Sequence, residues 1–386
     1  VEWHFLDHAA GSPARREVVE AMLPLLTEGY GNPSGAHALA RQARAALDDA
    51  RSRLAELVGC RPGEVVFTSG GTEADVLAVD GVRAARPGRV VCSAVEHPAV
   101  LHAVERAGGC TVPVDARGVV DLDALAAALD PEVALVSILL VGNETGVVQP
   151  LAAIAEVVRE RAPAALLHTD ASQALSWLDL RVHAAAADLV TLASHKCGGP
   201  KGIGALVVRD GVPLVPQLVG GGQERDRRAG TQHVAGAVGF AVAAARAAEE
   251  RDGLWARAAR WRAQLVASVA DGLGAIDSAV PPGGTAEHLV PGIVHLCLPA
   301  VDSEALLFLL EHEHRVLASA GSSCASGAQE PSPVLQAMGL DRALAGGAVR
   351  CSVGWSTTEA DVAAAVTGLP DAARRLQAHA RDGSPA

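Results

Sequence analysis

The chain has 386 residues, 49% of them hydrophobic but few aromatic, and a formal net charge of −12. That length buries a sizeable core, in two domains or in one large domain with a smaller one. An acidic balance without a dense basic run excludes nonspecific nucleic-acid binding as the main task, and no direct nucleic-acid partner is expected.

In chain order, residues 1–13 read as a short extended lead-in, FLDHAAGSP, followed by a helix from Pro13 to about Glu28. GYGNPSG (Gly29–Gly35) is a loop in which Ser34 is expected to cap a long helix reaching Val58. The apolar positions Ala40, Ala43, Leu47, Ala50, Leu54 and Leu57 keep helical spacing along it. Strands are then predicted at 64–68, 89–93, 111–114, 133–140, 165–169, 188–192 and 205–208. The helices expected among them begin at SGGTEA and cover 98–107, 122–129 and 150–161. Alternation of this kind indicates βαβ units and a mostly parallel sheet covered on both faces. A long Ala-rich helix runs from Thr231 to about Asp271, and short strand and helix signals resume after SAVPPGGTAEH as a smaller α+β domain.

The seven cysteines are scattered, odd in number and without a CxxC pair. They suit free thiols in a reducing cytoplasm and suit neither a disulfide framework nor a zinc site. There is no apolar run long enough to span a bilayer and no signal-peptide pattern, so no membrane partner is expected.

Lysine is nearly absent. Only Lys196 and Lys201 occur, both in ASHKCGGPKGIG, against thirty arginines. A guanidinium serves solubility and ion pairing, but it cannot deprotonate near neutral pH and attack a carbonyl carbon. The stretch therefore invites a Schiff-base reading, beside the plainer one of a basic loop tip.

Other motifs follow strand ends. TSGGTEA (Thr68–Ala74) opens a helix whose N-terminus and glycines favour an anion, with the Thr72 hydroxyl at hand; an ordinary strand–turn–helix junction has the same look. HTDASQ sets Asp170 just past apolar strand residues, where a carboxylate is costly without a cationic partner unless it is a helix cap. Gln173 follows by three residues. VEHPAV places His97, and VGNETG places Asn143, after two further strands. Thr72, His97, Asn143, Asp170 and Lys196 thus all follow strand ends, which converge on one crevice in a parallel sheet. A phosphate cradle, a ring stacker, a phenolate donor, a pyridinium partner and a Schiff-base lysine are what pyridoxal 5′-phosphate requires.

With these residues the chain resembles the NifS/IscS-like cysteine desulfurases of the class V aminotransferase group. The likeness covers almost the whole length. It runs from FLDHAAGSP and GNPSGAH through FTSGGTEAD, VEHPAV, GNETG, HTDASQ, ASHKCGGPKGIGAL and GGGQERDRRAGT to SAGSSCASGAQEPSPVLQAMG and VRCSVG.

The resemblance implies an α/β, pyridoxal-phosphate transferase fold of type I. Its large domain would cover residues 14–260, and a smaller α+β domain, 1–13 with 261–386, would carry the catalytic cysteine loop. It implies that Lys196 binds the cofactor and moves the Cα proton, that Asp170 pairs with the ring nitrogen, and that His97 stacks on the ring and acts as a catalytic residue in acid/base steps. Gln173 and Asn143 would contact the phenolate side, Thr72 and His195 the phosphate, and Gly71 and Ser194 would complete the cofactor-binding set. Thr231 would reach the cofactor of the second subunit in a homodimer. Asn32, Asn143 and Arg350 would hold the substrate L-cysteine. Cys324 would be the nucleophile that takes its sulfur, leaving L-alanine, for a protein acceptor such as an iron–sulfur scaffold; tRNA thiolation and DNA sulfur modification stay open.

The Ser/Gly/Ala-rich setting of Cys324 supports the same role independently, with Cys197 and Cys351 read as packing residues. Selenocysteine lyase and class V aminotransferase are the alternative activities, and a sulfur-carrier module without turnover is a third reading. One departure touches cofactor affinity: Ala193 stands where the family usually has a serine.

Overall fold

The structure is a computed structural model and describes residues 3–270, 272–281, 283–321 and 332–381. Among them are twelve strands: β1 (His4–Phe5), β2 (Val65–Thr68), β3 (Arg89–Ser93), β4 (Cys110–Val112), β5 (Val133–Ser137), β6 (Leu166–Asp170), β7 (Leu189–Ala193), β8 (Gly204–Val208), β9 (Ile276–Asp277), β10 (Ile293–Cys297), β11 (Val316–Leu317) and β12 (Ala348–Ser352).

Seven of these strands form the central sheet in the order β2-β8-β7-β6-β5-β3-β4. Every pairing is parallel except those of β8, which runs against both β2 and β7. The strands are near-continuous runs of Val, Leu and Ala, and β5, β7 and β8 are buried along their whole length. Such runs suit a sheet covered on both faces. One face packs under helix Gly71–Ala85, whose Ala74, Leu77, Ala78 and Val82 join Val66, Val90 and Leu206. The other packs against Ala38–Val58 and the 37-residue helix Val234–Ala270.

A three-stranded antiparallel sheet, β12-β10-β9, and the parallel pair β1–β11 complete the molecule. Beyond its pairing with β11, the N-terminal segment continues alongside the central sheet. Ser12 N donates to His195 O (2.8 Å) and Arg15 N to Gly198 O (2.9 Å).

The predicted elements are found close to their expected ranges, with some differences. The helix expected from Ser34 begins at Ala38, and His37 caps it by accepting from Ala40 N (3.3 Å). Ser34 instead donates its backbone N–H to Asn32 Oδ1 (2.9 Å), an Asx turn that carries the chain further before the helix starts. The strand expected through Leu140 ends at Ser137, although Ile138 N and Leu140 N still donate to His168 O and Asp170 O. Helix Glu359–Arg381 was not anticipated; it holds Pro370 within its length and packs on helix Ser303–His314 where Gly368 meets His314.

Candidate active site

Five strand ends surround one cleft of about 510 Å³, lined by Gly71, Thr72, His97, Asn143, Asp170, Gln173, His195, Lys196 and Arg350. The parallel strands account for this: β6 delivers Asp170 as its last residue, and β7 ends at Ala193 directly before the turn Ser194–Lys196. Gly71 begins the helix after β2, and its bare Cα matters, since a Cβ there would come within 2.9 Å of Ser172 Oγ.

Lys196 Nζ donates to the carbonyls of Ala9 (2.5 Å) and Ala10 (3.1 Å). Gln173 Nε2 donates to the same Ala9 carbonyl (2.8 Å). Asp170 Oδ1 accepts from Ser172 N (2.8 Å). His97 caps the helix Pro98–Arg106, accepting from Ala99 N through Nδ1 (3.1 Å). That bond leaves Nε2 to carry the proton of the neutral ring. Burial lowers the His97 pKa, with the Asp170 charge opposing and Lys196 adding to the effect. The His195 pKa is lowered to about 4, first by burial and then by Lys196, Lys201 and His97.

Beneath the cleft lies an acid cluster. Asp75 and Glu96 both line the cleft and both are buried. Burial pushes Glu96 up to about 8, against hydrogen bonds from Ser93 Oγ (2.6 Å) and Leu139 N (2.8 Å). Asp75 is raised by burial and then by the Asp170 charge. His168, between Ser137 Oγ (2.8 Å) and Thr191 Oγ1 (3.0 Å), is fully buried, its pKa lowered to about 4 by burial. Asp170 is thus set in a neutral polar bed.

At the opposite wall Arg350 Nη2 donates to Asp7 Oδ1 (2.8 Å), and Nη1 to the carbonyls of Asn143 (2.9 Å) and Gly321 (3.1 Å). Its Nε is buried without a hydrogen-bond partner.

Three expected site residues are not in the lining. Ser194 is buried below the cleft with its Oγ unpaired and pressed toward Gly199, while Ala193 does line the cleft. Asn32 and Thr231 are exposed. Cys324 lies outside the described residues.

None of the six described cysteines lines the cleft. Cys197 and Cys351 are buried with thiols pushed up by burial to about 12, as inert packing residues should be.

Sequence reading missed Asp75, Glu96, Glu144 and the Ala9 and Ala10 carbonyls. Glu96 and Glu144 stand beside His97 and Asn143, and Asp75 stands three residues beyond Thr72 on the same helix turn, so adjacency was an available signal. The carbonyls carry no side-chain signal at all.

The aminotransferase class-V family profile matches residues 4–364. An IscS-like cysteine desulfurase of Mycobacterium tuberculosis (strain ATCC 25618 / H37Rv) is 41% identical, over 97% of both chains. The structure of a NifS-like protein superposes with a TM-score of 0.88 at 31% identity, covering 96% of this chain and 99% of that one. SspA, solved in complex with cysteine, gives a TM-score of 0.78 at 31% identity, over 90% and 98% of the two chains. The strand ends, the lysine between them and these likenesses agree: the chain belongs to the class-V aminotransferase family, among its NifS/IscS-like cysteine desulfurases.

Proposed function

We propose that the chain converts L-cysteine to L-alanine with pyridoxal 5′-phosphate, captures the sulfur on Cys324 as a persulfide, and passes it to a protein acceptor. The observation that carries this reading is the cleft itself, where the amine of Lys196, the carboxylate of Asp170 and the imidazole of His97 share one wall system.

The cofactor fits the residues present. The cleft has the volume of a small-molecule site. A helix N-terminus at Gly71–Thr72 suits the phosphate, and Asp170 among neutral groups suits a ring cation. Lys196 would hold the cofactor, with Thr72 and His195 toward the phosphate, Gln173 and Asn143 toward the phenolate, and His97 against the ring. Bound there, pyridoxal phosphate supplies an electron sink that acidifies the substrate Cα–H and loosens the C–S bond.

Lys196 moves the Cα proton. Arg350, with its unpaired Nε, and Asn143 in the cleft lining receive the substrate carboxylate. The Cys324 thiolate then attacks the substrate Sγ. The new S–S bond forms as Cβ–Sγ breaks, the bond pair stays with carbon, and a proton completes alanine. In sequence, Cys324 follows by three residues Gly321, which lines the cleft.

The two-domain division falls within the helix Val234–Ala270, and we place the chain in the cytoplasm, where its thiols stay reduced. No helix among the described residues is long and apolar enough to cross a membrane. A homodimer would cover the exposed Val19, Leu23 and Leu26 on one face of helix Arg16–Thr27, and would bring Thr231 to the other subunit's phosphate. Sedimentation as a monomer with full cofactor affinity contradicts the shared site. An iron–sulfur scaffold is the expected acceptor, and persulfide transfer to the purified scaffold protein tests it; a scaffold that takes no sulfur refutes it.

Two variants test the whole reading. Lys196→Ala should lose the visible absorbance of the bound cofactor, and an unchanged spectrum sinks the assignment. Cys324→Ser should keep that absorbance and form no persulfide from L-cysteine; continued desulfuration moves the nucleophile elsewhere.

A further inference from the structure

Besides Asp75 and Glu96, the cleft contains a further buried carboxylate that the reaction above does not use. Glu144 follows Asn143, lines the cleft, and is 7% exposed. Its Oε2 accepts from Ser332 Oγ at 2.5 Å. That contact is forced by hydrogen-bond arithmetic. The Ser332 hydroxyl caps the helix Pro333–Ala337, accepting from Val334 N (3.1 Å) and Leu335 N (3.4 Å). With both lone pairs taken, its single proton has to be given away, and Glu144 receives it.

The same oxygen lies against a second stretch of chain. A Cβ built on Gly321 would be 3.4 Å from Glu144 Oε2 and 2.6 Å from His295 Nε2, so this wall admits only glycine. Gly321 also has φ +97°. Its carbonyl is held by Arg350 Nη1, which binds the Asn143 carbonyl as well. Gly321 and Ser332 are the two residues that flank 322–331; Ser332 is held by the Glu144 carboxylate and Gly321 by the Arg350 guanidinium, and both groups line the cleft.

We propose that Glu144 is a positioning residue for the nucleophile: its carboxylate holds Ser332, one of the two chain ends between which Cys324 lies, while Arg350 holds the other end, Gly321, beside the substrate's carboxylate. The inference rests on the reading of Cys324 as the sulfur acceptor. Holding both ends at the cleft wall raises the effective concentration of the thiol there without touching the Cα chemistry. The two half-reactions should therefore respond differently to Glu144.

The experiment compares Glu144→Ala and Glu144→Gln holoenzymes in two assays. Exchange of the L-alanine Cα hydrogen in D₂O, followed by NMR, reads the Lys196 half. Persulfide formation from L-cysteine reads the Cys324 half. Glu144→Ala should keep cofactor absorbance and exchange within about twofold, while persulfide formation falls about tenfold or more. Glu144→Gln keeps an acceptor for the Ser332 hydroxyl and should restore most of the persulfide rate. Parallel loss of both reactions in both variants would show a general structural role and overturn the proposal, as would an undiminished persulfide rate in Glu144→Ala. Cys324→Ser in the same series separates the two levels. If it still forms persulfide, the reading of Cys324 fails, and if it forms none while Glu144→Ala behaves as wild type, only the role of Glu144 fails.

Discussion

Glu96 and His97 are sequence neighbours held neutral by the same cause. Burial raises the carboxyl of one and lowers the imidazole of the other, so near pH 7 neither adds charge beside Asp170. For Glu96 this has a consequence for stability. Its folded pKa of about 8 lies above its ordinary value, so its contribution is full below the ordinary carboxylate range and is lost as pH rises through about 8. Glu96→Gln mimics the protonated acid and keeps an acceptor for Ser93 Oγ and Leu139 N. Wild type should lose a few kcal/mol relative to this variant between about pH 5 and about pH 8.5, read from urea unfolding at each pH. Parallel pH profiles would show that Glu96 is ionised in the folded protein. At this scale the sequence was legible wherever a residue type is chemically singular. Lysine scarcity marked Lys196, whereas the Ala9 carbonyl that receives it is shared by every residue.

Among the elements, β8 sets the geometry of the phosphate side. It runs back between β2 and β7, and Gly204 at its start lets it approach the turn before helix Gly71–Ala85. A Cβ at Gly204 would stand 2.6 Å from the Gly70 carbonyl carbon and 2.7 Å from Leu192 O, both backbone atoms that cannot swing aside. Gly204→Ala should therefore cost about 1–3 kcal/mol in urea unfolding and weaken cofactor binding in an absorbance titration. Unchanged stability and affinity would contradict this account of β8. The existence of these strands was legible because their buried runs of Val and Leu have few other uses. The reversal of β8 follows from its connection, residues 194–203, which is too short for a helical crossover. The cap at His37 was hidden because an Asx turn at Asn32 competes for Ser34, and Gly368 and Pro370 disguised the last helix.

Across the whole molecule, function depends on segments distant in sequence meeting at one cleft. The lead-in supplies Asp7, Ala9 and Ala10, the central sheet supplies the strand ends, and β12 supplies Arg350. Motif order along the chain showed the strand-end groups in advance, because a parallel sheet gathers them by construction. The lead-in and the Glu144–Ser332 contact were not legible, since only packing brings residues 188 positions apart together. The proposed function has this cleft break the C–S bond of L-cysteine and Cys324 take the sulfur. Its most direct test is a single turnover with L-cysteine, with alanine quantified and the modified cysteine located by peptide mass spectrometry. One alanine should form for each added sulfur atom, with that sulfur on Cys324. Alanine without a persulfide, or a persulfide on any other cysteine, would contradict it.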